Sequence, residues 1–346
     1  MKHPSPLLLC LAALSLPAAF ALPAASQQPL QHLSASELIR RADTLTDLRE
    51  PGSAPFHLHG TFEASGPVEL TGSGTYDETW LSPELWRVEV SLAGYHATWG
   101  SNAHGLYKDE SDPYRPSRVE LLIDVLHRSR QAEEIKDKDW AVSQEGDGST
   151  MLTRRPRGED KFYKTALSLN GSGVPVVKVN NGSMVRSGAY VTFHGKYVPH
   201  LITLQVGENS ALSFRMTTLE AAPEGAANDL SEAKGTAATP CESVPLLGEN
   251  QKVSTGKMRP PKLTFEEEMR FPAEDRAAVR AGLSSMQLFV DQEGRPRDVE
   301  TKSATRPEFA KNALEAIRRY RFRPSTLDGR ACQMMIYVEA NFRTDH

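Results

Sequence analysis

The sequence predicts an α+β protein that consists of a β-rich N-terminal domain and a small C-terminal domain. Between residues 56 and 219, strand-like runs alternate with turn residues, and only one or two helical segments interrupt them, which is typical of an antiparallel sheet. In residues 248–346, one amphipathic helix lies between alternating strand patterns. Residues 221–240 contain almost no large apolar side chains, and we predict that residues 221–247 form a linker between the domains.

The N-terminus has the features of a secretory signal peptide. Lys2 is positive, residues 7–16 are apolar, and Ala19-Phe20-Ala21 offers a cleavage site for signal peptidase. We therefore expect residues 1–21 to be removed on export. The alternative, an uncleaved membrane anchor, stays open, although the apolar stretch is short for the about 20 residues that a spanning helix needs.

The predicted N-terminal domain, residues 30–220, begins with a helix. Leu38, Ile39, Ala42, Leu45 and Leu48 form one apolar stripe, and Ser34 or Ser36 caps it. A second helix is predicted at Ser117–Arg130. Aromatic and β-branched runs between Gly, Pro, Ser and Asn predict strands at Phe56–Phe62, Val68–Trp80, Leu85–Leu92, Tyr95–Gly100, Trp140–Glu145, Ser149–Arg154, Phe162–Leu169, Val174–Val179, Ala189–Tyr197, Pro199–Val206 and Ala211–Leu219.

The C-terminal domain, residues 248–346, combines a hairpin, a helix and a long last strand. An Ala-rich helix is predicted from Pro272 to Leu283. Strands at Ser285–Asp291 and Arg297–Ser303 flank the turn Asp291–Gly294. Thr305-Arg306-Pro307-Glu308 has the form of a capping box and predicts the start of a helix. The longest alternation is at Cys332–Phe342, where Met334, Ile336, Val338, Ala340 and Phe342 share one face.

These C-terminal residues resemble the C-terminal domain of TonB-type energy transducers. The resemblance is carried by Phe271-Pro272, Gly282, Val290-Asp291-Gln292-Glu293-Gly294 with Asp298-Val299, Asn312-Ala313-Leu314 with Ala316, and Tyr320-Arg321-Phe322-Arg323-Pro324. It implies an α/β sandwich with a three-stranded antiparallel sheet, and a periplasmic location for an exported chain. The alternative location is the inner membrane, held by the uncleaved N-terminus.

In this family the sheet binds a short extended peptide of an outer-membrane transporter as an added strand. Carried over by position, the resemblance places the edge at Met334–Arg343, so the peptide would be flanked by Met335, Tyr337, Glu339, Asn341 and Arg343. An outer-membrane transporter or another envelope protein is the implied partner. The alternative is that this edge pairs only within the domain or with a second copy in a homodimer.

The N-terminal domain is similar to the LolA and RseB superfamily of periplasmic half-barrels. The similarity rests on the leading helix, on the strands at 74–80 and 86–89, and on the hairpin at 195–202 and 213–216. It implies a concave apolar surface that receives lipid or acyl chains, hence an alternative function as a lipid or lipoprotein carrier. Tyr76, Trp80, Trp86 and Trp99 are candidates for lining this cavity, but aromatic residues at strand spacing also suit a packed core.

Cysteines and charge limit the remaining functions. Removal of residues 1–21 leaves Cys241 and Cys332, which would form a disulfide in an oxidising compartment, unless they remain separate thiols. Residues 1–249 carry a net charge of −8 and residues 250–346 a net charge of +4, with acids interspersed, which argues against a nucleic-acid partner. The sequence contains no motif of a catalytic nucleophile, a metal site or a nucleotide cofactor, so we expect a non-enzymatic protein without cofactors.

Overall fold

The computed structural model describes residues 32–127, 136–155, 165–180, 182–237, 257–272 and 281–343. The predicted signal peptide and Cys241 lie outside these residues. Residues 273–280, which make up most of the helix predicted from Pro272 to Leu283, also lie outside the described residues. The final residues of that predicted helix, Ala281 to Leu283, begin a strand, since they pair with the last strand of the chain.

The N-terminal domain is built on one open antiparallel sheet of 13 strands. The strand order is β13-β5-β4-β3-β2-β1-β12-β11-β10-β9-β8-β7-β6, so nearly all neighbours are consecutive hairpins. This confirms the predicted half-barrel. Its strands are β1 Phe56–Ala64, β2 Gly72–Ser82, β3 Leu85–Leu92, β4 Tyr95–Asn102, β5 Gly105–Glu110, β6 Trp140–Gln144, β7 Thr150–Arg154, β8 Thr165–Leu169, β9 Pro175–Asn180, β10 Ser183–Phe193, β11 Lys196–Val206, β12 Asn209–Ala221 and β13 Thr236–Ala237.

Two strands of this sheet differ from the sequence prediction. The strand predicted at Ala189–Tyr197 is correct only for residues 189–193, which end β10; the chain then reverses at His194 and Gly195, which have φ angles of +46° and +83°, and residues 196–197 begin β11. Two successive positive φ values form the type of two-residue turn that favours a hairpin, and Phe193 pairs with Lys196. Strand β5 was not predicted because Lys108, Asp109 and Glu110 lack an apolar alternation.

Helices cover the concave side of the sheet. Helix α1 spans Ala35–Thr46 and begins with a capping box, in which Ser34 Oγ accepts from Glu37 N–H and Glu37 Oε2 accepts from Ser34 N–H. This confirms Ser34 as the cap. Helix α2 spans Ser117–His127, and its buried Val119, Leu122 and Ile123 pack in the same core as the central strands.

Part of the predicted linker is folded onto the N-terminal domain. Helix α3 spans Ala226–Glu232, and β13 adds to the free edge of β5. Asn102 Nδ2 donates to the carbonyl oxygens of Leu230 and Ala233, at 3.3 and 3.0 Å. The sequence did not predict this folded segment, because it contains few large apolar residues. Helix α3 buries only two side chains, Ala226 and Leu230.

The C-terminal domain has the predicted three-stranded antiparallel sheet, in the order β17-β16-β21, with one helix on one face. In helix α4, Phe309, Ala313, Ala316 and Ile317 are buried against Met286, Leu288 and Val290 of the sheet. The elements are β14 Met258–Arg259, β15 Lys262–Phe265, β16 Ala281–Val290, β17 Pro296–Ala304, α4 Pro307–Ile317, β18 Arg321–Arg323, β19 Ser325–Leu327, β20 Arg330–Cys332 and β21 Met334–Arg343.

The capping box predicted for α4 is wrong. Arg306 occupies the N-cap position, and its side chain forms no capping hydrogen bond to the helix. Thr305 Oγ1 instead accepts from Leu283 N–H at 3.0 Å and donates to Leu283 O at 3.2 Å, so it joins β17 to β16. Pro307 still lies in the first turn, where a missing N–H costs no helical hydrogen bond.

None of the helices in the described residues is both long and apolar enough to cross a membrane.

Candidate functional site

The edge strand β21 is the first component of the candidate site. Within the described residues, β21 pairs with β16 along its whole length, from Met334 opposite Val290 to Arg343 opposite Ala281, and β16 is its only neighbour in the sheet. The other edge of β21 has no strand partner within the described residues, and an edge strand is a place where an extended peptide can add to a sheet.

The side chains of β21 alternate as the sequence predicts. Ala340 and Phe342 are buried beneath α4, and Met334, Ile336 and Val338 are partly buried on the same face. The other face holds the five residues that were predicted to flank a peptide, and all are exposed: Met335, Tyr337, Glu339, Asn341 and Arg343. Alternation thus separates a core face from a face that is open to contacts.

The second component is a cavity of about 260 Å³ at the junction of the two domains. It is slightly smaller than the about 300–1,000 Å³ of common small-ligand sites. The C-terminal domain contributes Gln287, Met335 and Tyr337 to its wall. The N-terminal wall is mainly apolar and includes Ile39, Leu58, Leu121, Val125, Leu126, Val177, Val185, Ile202, Leu204 and Phe214. We call this space the junction cavity.

The four aromatic residues proposed for a cavity do not line the junction cavity. Tyr76, Trp80, Trp86 and Trp99 are between 0 and 5% exposed and belong to the packed core. Trp80 stacks on Phe56, with 5.7 Å between ring centroids, and Trp99 Nε1 donates to Glu110 Oε1 at 3.0 Å. Their neighbours thus fill the space around these rings, and the junction cavity lies further along the sheet.

A buried ion pair fixes the C-terminal domain on the N-terminal domain. Arg118 of α2 and Glu300 of β17 have side chains that are 0% and 1% exposed. The guanidinium donates to both carboxylate oxygens, at 2.7 and 2.6 Å, and Arg118 Nε donates to Ser65 O at 2.7 Å. A bidentate pair of this kind fixes both the distance and the relative orientation of α2 and β17.

Asp298 forms a second buried contact between the domains. Its carboxylate accepts from Glu69 N–H at 2.8 Å, from Ser117 N–H at 2.9 Å and from Tyr114 Oη at 2.8 Å. Burial, together with the charge of Asp298, raises the pKa of Tyr114, so this hydroxyl stays a donor. We call Arg118, Glu300, Asp298 and Tyr114 the interdomain cluster.

A β-bulge positions Asp298. Asp298 and Val299 together lie opposite the single residue Leu288, and Asp298 has a φ of +48°, which Asp adopts more readily than most residues. Val299 faces the core beneath α4, while Asp298 faces the N-terminal domain. The C-terminal sheet therefore packs α4 on one face and the N-terminal domain on the other.

Lys302 extends this contact towards the junction cavity. Its Nζ donates to Ser183 Oγ at 2.5 Å and to Gln287 Oε1 at 3.0 Å. Burial lowers its pKa to about 8, with Glu300 opposing and Arg118 adding to the shift. Because an ammonium is only a donor, the contact assigns the Gln287 oxygen to Lys302 and leaves Gln287 Nε2 buried without a partner in the described part of the chain.

Sequence reasoning missed the interdomain cluster. Asp298, Glu300 and Lys302 follow one another at every second residue of β17, a pattern that usually marks a solvent-exposed face. Arg118 gives no separate signal, because a charged residue in the first turn of a helix is common on surfaces. The described residues also contain no group of three or more His, Cys, Asp or Glu side chains arranged to hold a metal ion.

The predicted disulfide is only half described. Cys332 closes β20, is 2% exposed and is not a free group. Cys241 lies outside the described residues, so its bond to Cys332 stays a prediction.

The solved structures that are similar to this chain include three proteins at low sequence identity. A LolA superfamily protein from Nitrosomonas europaea has 12% identity and a TM-score of 0.33, covering 55% of this chain and 94% of its own. A domain of an outer membrane lipoprotein-sorting protein from Vibrio parahaemolyticus has 9% identity and a TM-score of 0.33, and the match covers 57% of this chain and 98% of that domain. A DUF1329 family protein from Desulfovibrio piger has 11% identity and a TM-score of 0.33, covering 54% and 91%.

Comparison with curated proteins finds no match. Comparison with protein families finds one for the C-terminal part of the chain: residues 267–344 match the model described as the C-terminal of the Gram-negative bacterial TonB protein. The match spans β16, β17, α4 and β21, the elements that form the edge strand and its support. Residues 267–344 are thus a domain similar to the C-terminal domain of TonB.

Proposed function

We propose that this protein is a periplasmic, non-enzymatic binding protein of the Gram-negative cell envelope that takes part in transport across the outer membrane. Its C-terminal domain would bind an extended peptide of an outer-membrane transporter, or of another envelope protein, as a strand added to β21. The observation that carries the proposal is the edge position of β21, which pairs with β16 alone among the described strands, in the part of the chain that matches TonB. The signal-peptide features of residues 1–21 support the periplasmic location.

The physical basis is main-chain pairing with selectivity from alternate side chains. A strand added to β21 gains hydrogen bonds from about every second residue of the edge. Met335, Tyr337 and Asn341 then flank the peptide on the exposed face of the sheet. The same pairing would suit a second copy of the chain, in which case the protein would form a concentration-dependent dimer.

Amide hydrogen exchange of the full protein tests strand addition. The probe is an array of overlapping synthetic peptides from outer-membrane transporters of a Gram-negative bacterium. We expect a binding peptide to protect alternate amides of β21, and Tyr337→Ser to weaken it. Lys311→Ala on the exposed side of α4 is the matched control and should bind normally. Protection of amides outside β21, with none in β21, would refute the proposal. If the β21 amides become protected as the protein concentration rises, without any peptide, the edge belongs to a homodimer.

A second function, carriage of a lipid or acyl chain, is favoured by one observation, the apolar wall of the junction cavity. The test is organic extraction and mass spectrometry of the full protein purified from a Gram-negative host. A carrier should yield an apolar ligand, and Val177→Trp, which fills part of the cavity, should lose it. An empty wild-type protein that also fails to bind a fluorescent fatty acid would exclude this function.

A further inference from the structure

Two residues of the edge strand belong to both components of the candidate site. Met335 and Tyr337 lie on β21 and also line the junction cavity. Their exposed fractions are 37% and 36%, so these two cavity-lining side chains are also partly in contact with solvent. Tyr337 pairs with Gln287 across the sheet, and Gln287 lines the cavity as well. The wall of the cavity therefore continues onto the exposed face of β21.

Strand geometry relates an added peptide to this wall. Neighbouring strands lie about 4.8 Å apart, and side chains at the same level point to the same face. A peptide that extends the sheet next to β21 therefore directs every second side chain to the face that carries Met335 and Tyr337. These added side chains would neighbour Met335 and Tyr337, which form part of the cavity wall. The remaining side chains point to the face of α4.

The domain interface holds this arrangement in place. The bidentate pair of Arg118 with Glu300 is buried on both sides. The turn between β11 and β12 approaches so closely that a Cβ on Gly207 would lie 2.8 Å from Thr301 O. Lys302 also bonds Ser183, which lines the cavity. The edge and the cavity thus keep one relative orientation, and a ligand need not move the domains to reach both.

We propose that the edge of β21 opposite β16 and the junction cavity form one composite site for an extended peptide whose alternate side chains are large and apolar. This inference rests on the proposed strand addition and names its ligand class. The backbone of the peptide pairs with β21, and its apolar side chains enter the cavity past Met335 and Tyr337. The cavity wall supplies apolar partners such as Val177 and Leu204.

The test uses two synthetic peptides of equal length that bind the full protein in solution. In one peptide threonine alternates with leucine, and in the other threonine alternates with serine. Both can pair with β21, but only the first can fill the cavity. Because burial of each leucine side chain stabilises binding, we expect the leucine peptide to bind at least about tenfold more tightly, measured by fluorescence anisotropy.

A cavity-filling variant and its control identify the origin of this preference. Val177→Trp places an indole in the cavity from strand β9, outside β21, and should remove the preference for leucine while the serine peptide still binds through its backbone. Val191→Trp is the control, because Val191 is an exposed residue of the same domain that does not line the cavity. Urea unfolding of both variants establishes that they are folded.

The outcomes separate this inference from the proposed function. If both peptides protect β21 amides with equal affinity, or if the preference survives Val177→Trp, strand addition stands and the composite site is refuted. If neither peptide binds or protects β21, both proposals fail. If a fluorescent fatty acid occupies the cavity and the leucine peptide binds β21 without displacing it, the cavity serves an acyl ligand alone, and the composite site is again refuted.

Discussion

Four polar side chains near the end of α2, three of them almost fully buried and Arg49 partly buried, form a hydrogen-bonded chain. Arg49 pairs with Glu78, whose carboxylate accepts from Tyr76 Oη at 2.7 Å, and this hydroxyl lies 2.7 Å from His127 Nε2. Burial and the nearby Arg49 lower the pKa of His127 to about 3. The imidazole is therefore neutral and donates from Nε2, which orders the whole chain towards Glu78.

His127 should make stability depend on acidic pH. The unfolded imidazole binds a proton near its ordinary pKa of 6.5, whereas the folded one does so near 3. Between these values the unfolded state holds the extra proton, so the free energy of unfolding should fall by about 1.4 kcal/mol per pH unit as the pH decreases. Urea unfolding at pH 6.5 and pH 4 measures this. His127→Gln should flatten the dependence and the exposed His104→Gln should not; equal slopes in all three proteins would contradict the assignment.

Lys302 should make stability depend on alkaline pH. Its folded pKa is about 8, below the ordinary 10.5, because burial disfavours the ammonium. Between these values only the unfolded state keeps the proton, so stability should rise as the pH increases from about 8 towards 10. Lys302→Met should remove this rise in urea unfolding, while Lys311→Met on the exposed side of α4 should retain it. A rise that persists in Lys302→Met would point to another group.

At the scale of elements, the hairpin of β16 and β17 positions the edge strand and the interface together. Asp291 Oδ1 accepts from the backbone N–H groups of Glu293 and Arg295, at 3.0 and 2.8 Å, which fixes the turn. Gly294 closes it with a φ of +78°, and its carbonyl accepts from Phe322 N–H at 2.9 Å. The segment that follows α4 is thus tied to the hairpin, and α4 is held on the sheet at both ends.

Gly294→Ala should destabilise the C-terminal domain strongly. A Cβ at Gly294 would lie 1.8 Å from Phe322 O, in addition to the positive φ. We expect a loss of about 2–5 kcal/mol from backbone strain and overlap together. Gly329→Ala is the matched control, because Gly329 has a φ of +84° but nothing within 4 Å of its Cβ. Chemical unfolding should show the control losing only about 1–2 kcal/mol; similar losses in both would mean that the turn relaxes.

At the scale of the whole molecule, the interdomain cluster joins domains that the sequence presents as separate. The Arg118–Glu300 contact connects residues 182 positions apart, and Tyr114–Asp298 connects residues 184 apart. All these groups are buried, so separating the domains would expose or leave unpaired several charges. We therefore expect the two domains to unfold together.

Glu300→Gln should uncouple the domains. The substitution leaves the Arg118 guanidinium buried without its counter-charge, which costs about 3–5 kcal/mol. The four tryptophans all lie in the N-terminal domain, so their fluorescence reports this domain alone, while methionine methyl signals of Met286 and Met335 report the other. We expect coincident transitions in the wild type and separate ones in Glu300→Gln. Glu293→Gln, at an exposed ion pair, should leave the transitions coincident; separate transitions in the wild type would sink the idea.

The predicted Cys241–Cys332 bridge would link the connecting segment to the C-terminal domain. The mature protein purified without reductant should be lighter than the reduced one by the mass of two hydrogen atoms. Removal of the bridge by Cys241→Ser should lower the free energy of unfolding by about 2–4 kcal/mol, since the bond restricts the unfolded chain. Two thiols that react with a maleimide in the unreduced, unfolded protein would exclude the bridge.

The sequence by itself determined most of the local structure. Period-two alternation gave the central strands and the two faces of β21, and Ser34 with Glu37 gave the start of α1, because these signals depend on neighbours within a few residues. Only the tertiary structure decided what the faces contact. The alternation of Asp298, Glu300 and Lys302 looks the same whether the face meets water or Arg118. Likewise, the aromatic residues near Trp80 suit both a core and a cavity, and Met335 and Tyr337 border the junction cavity only because distant residues dock the second domain beside it.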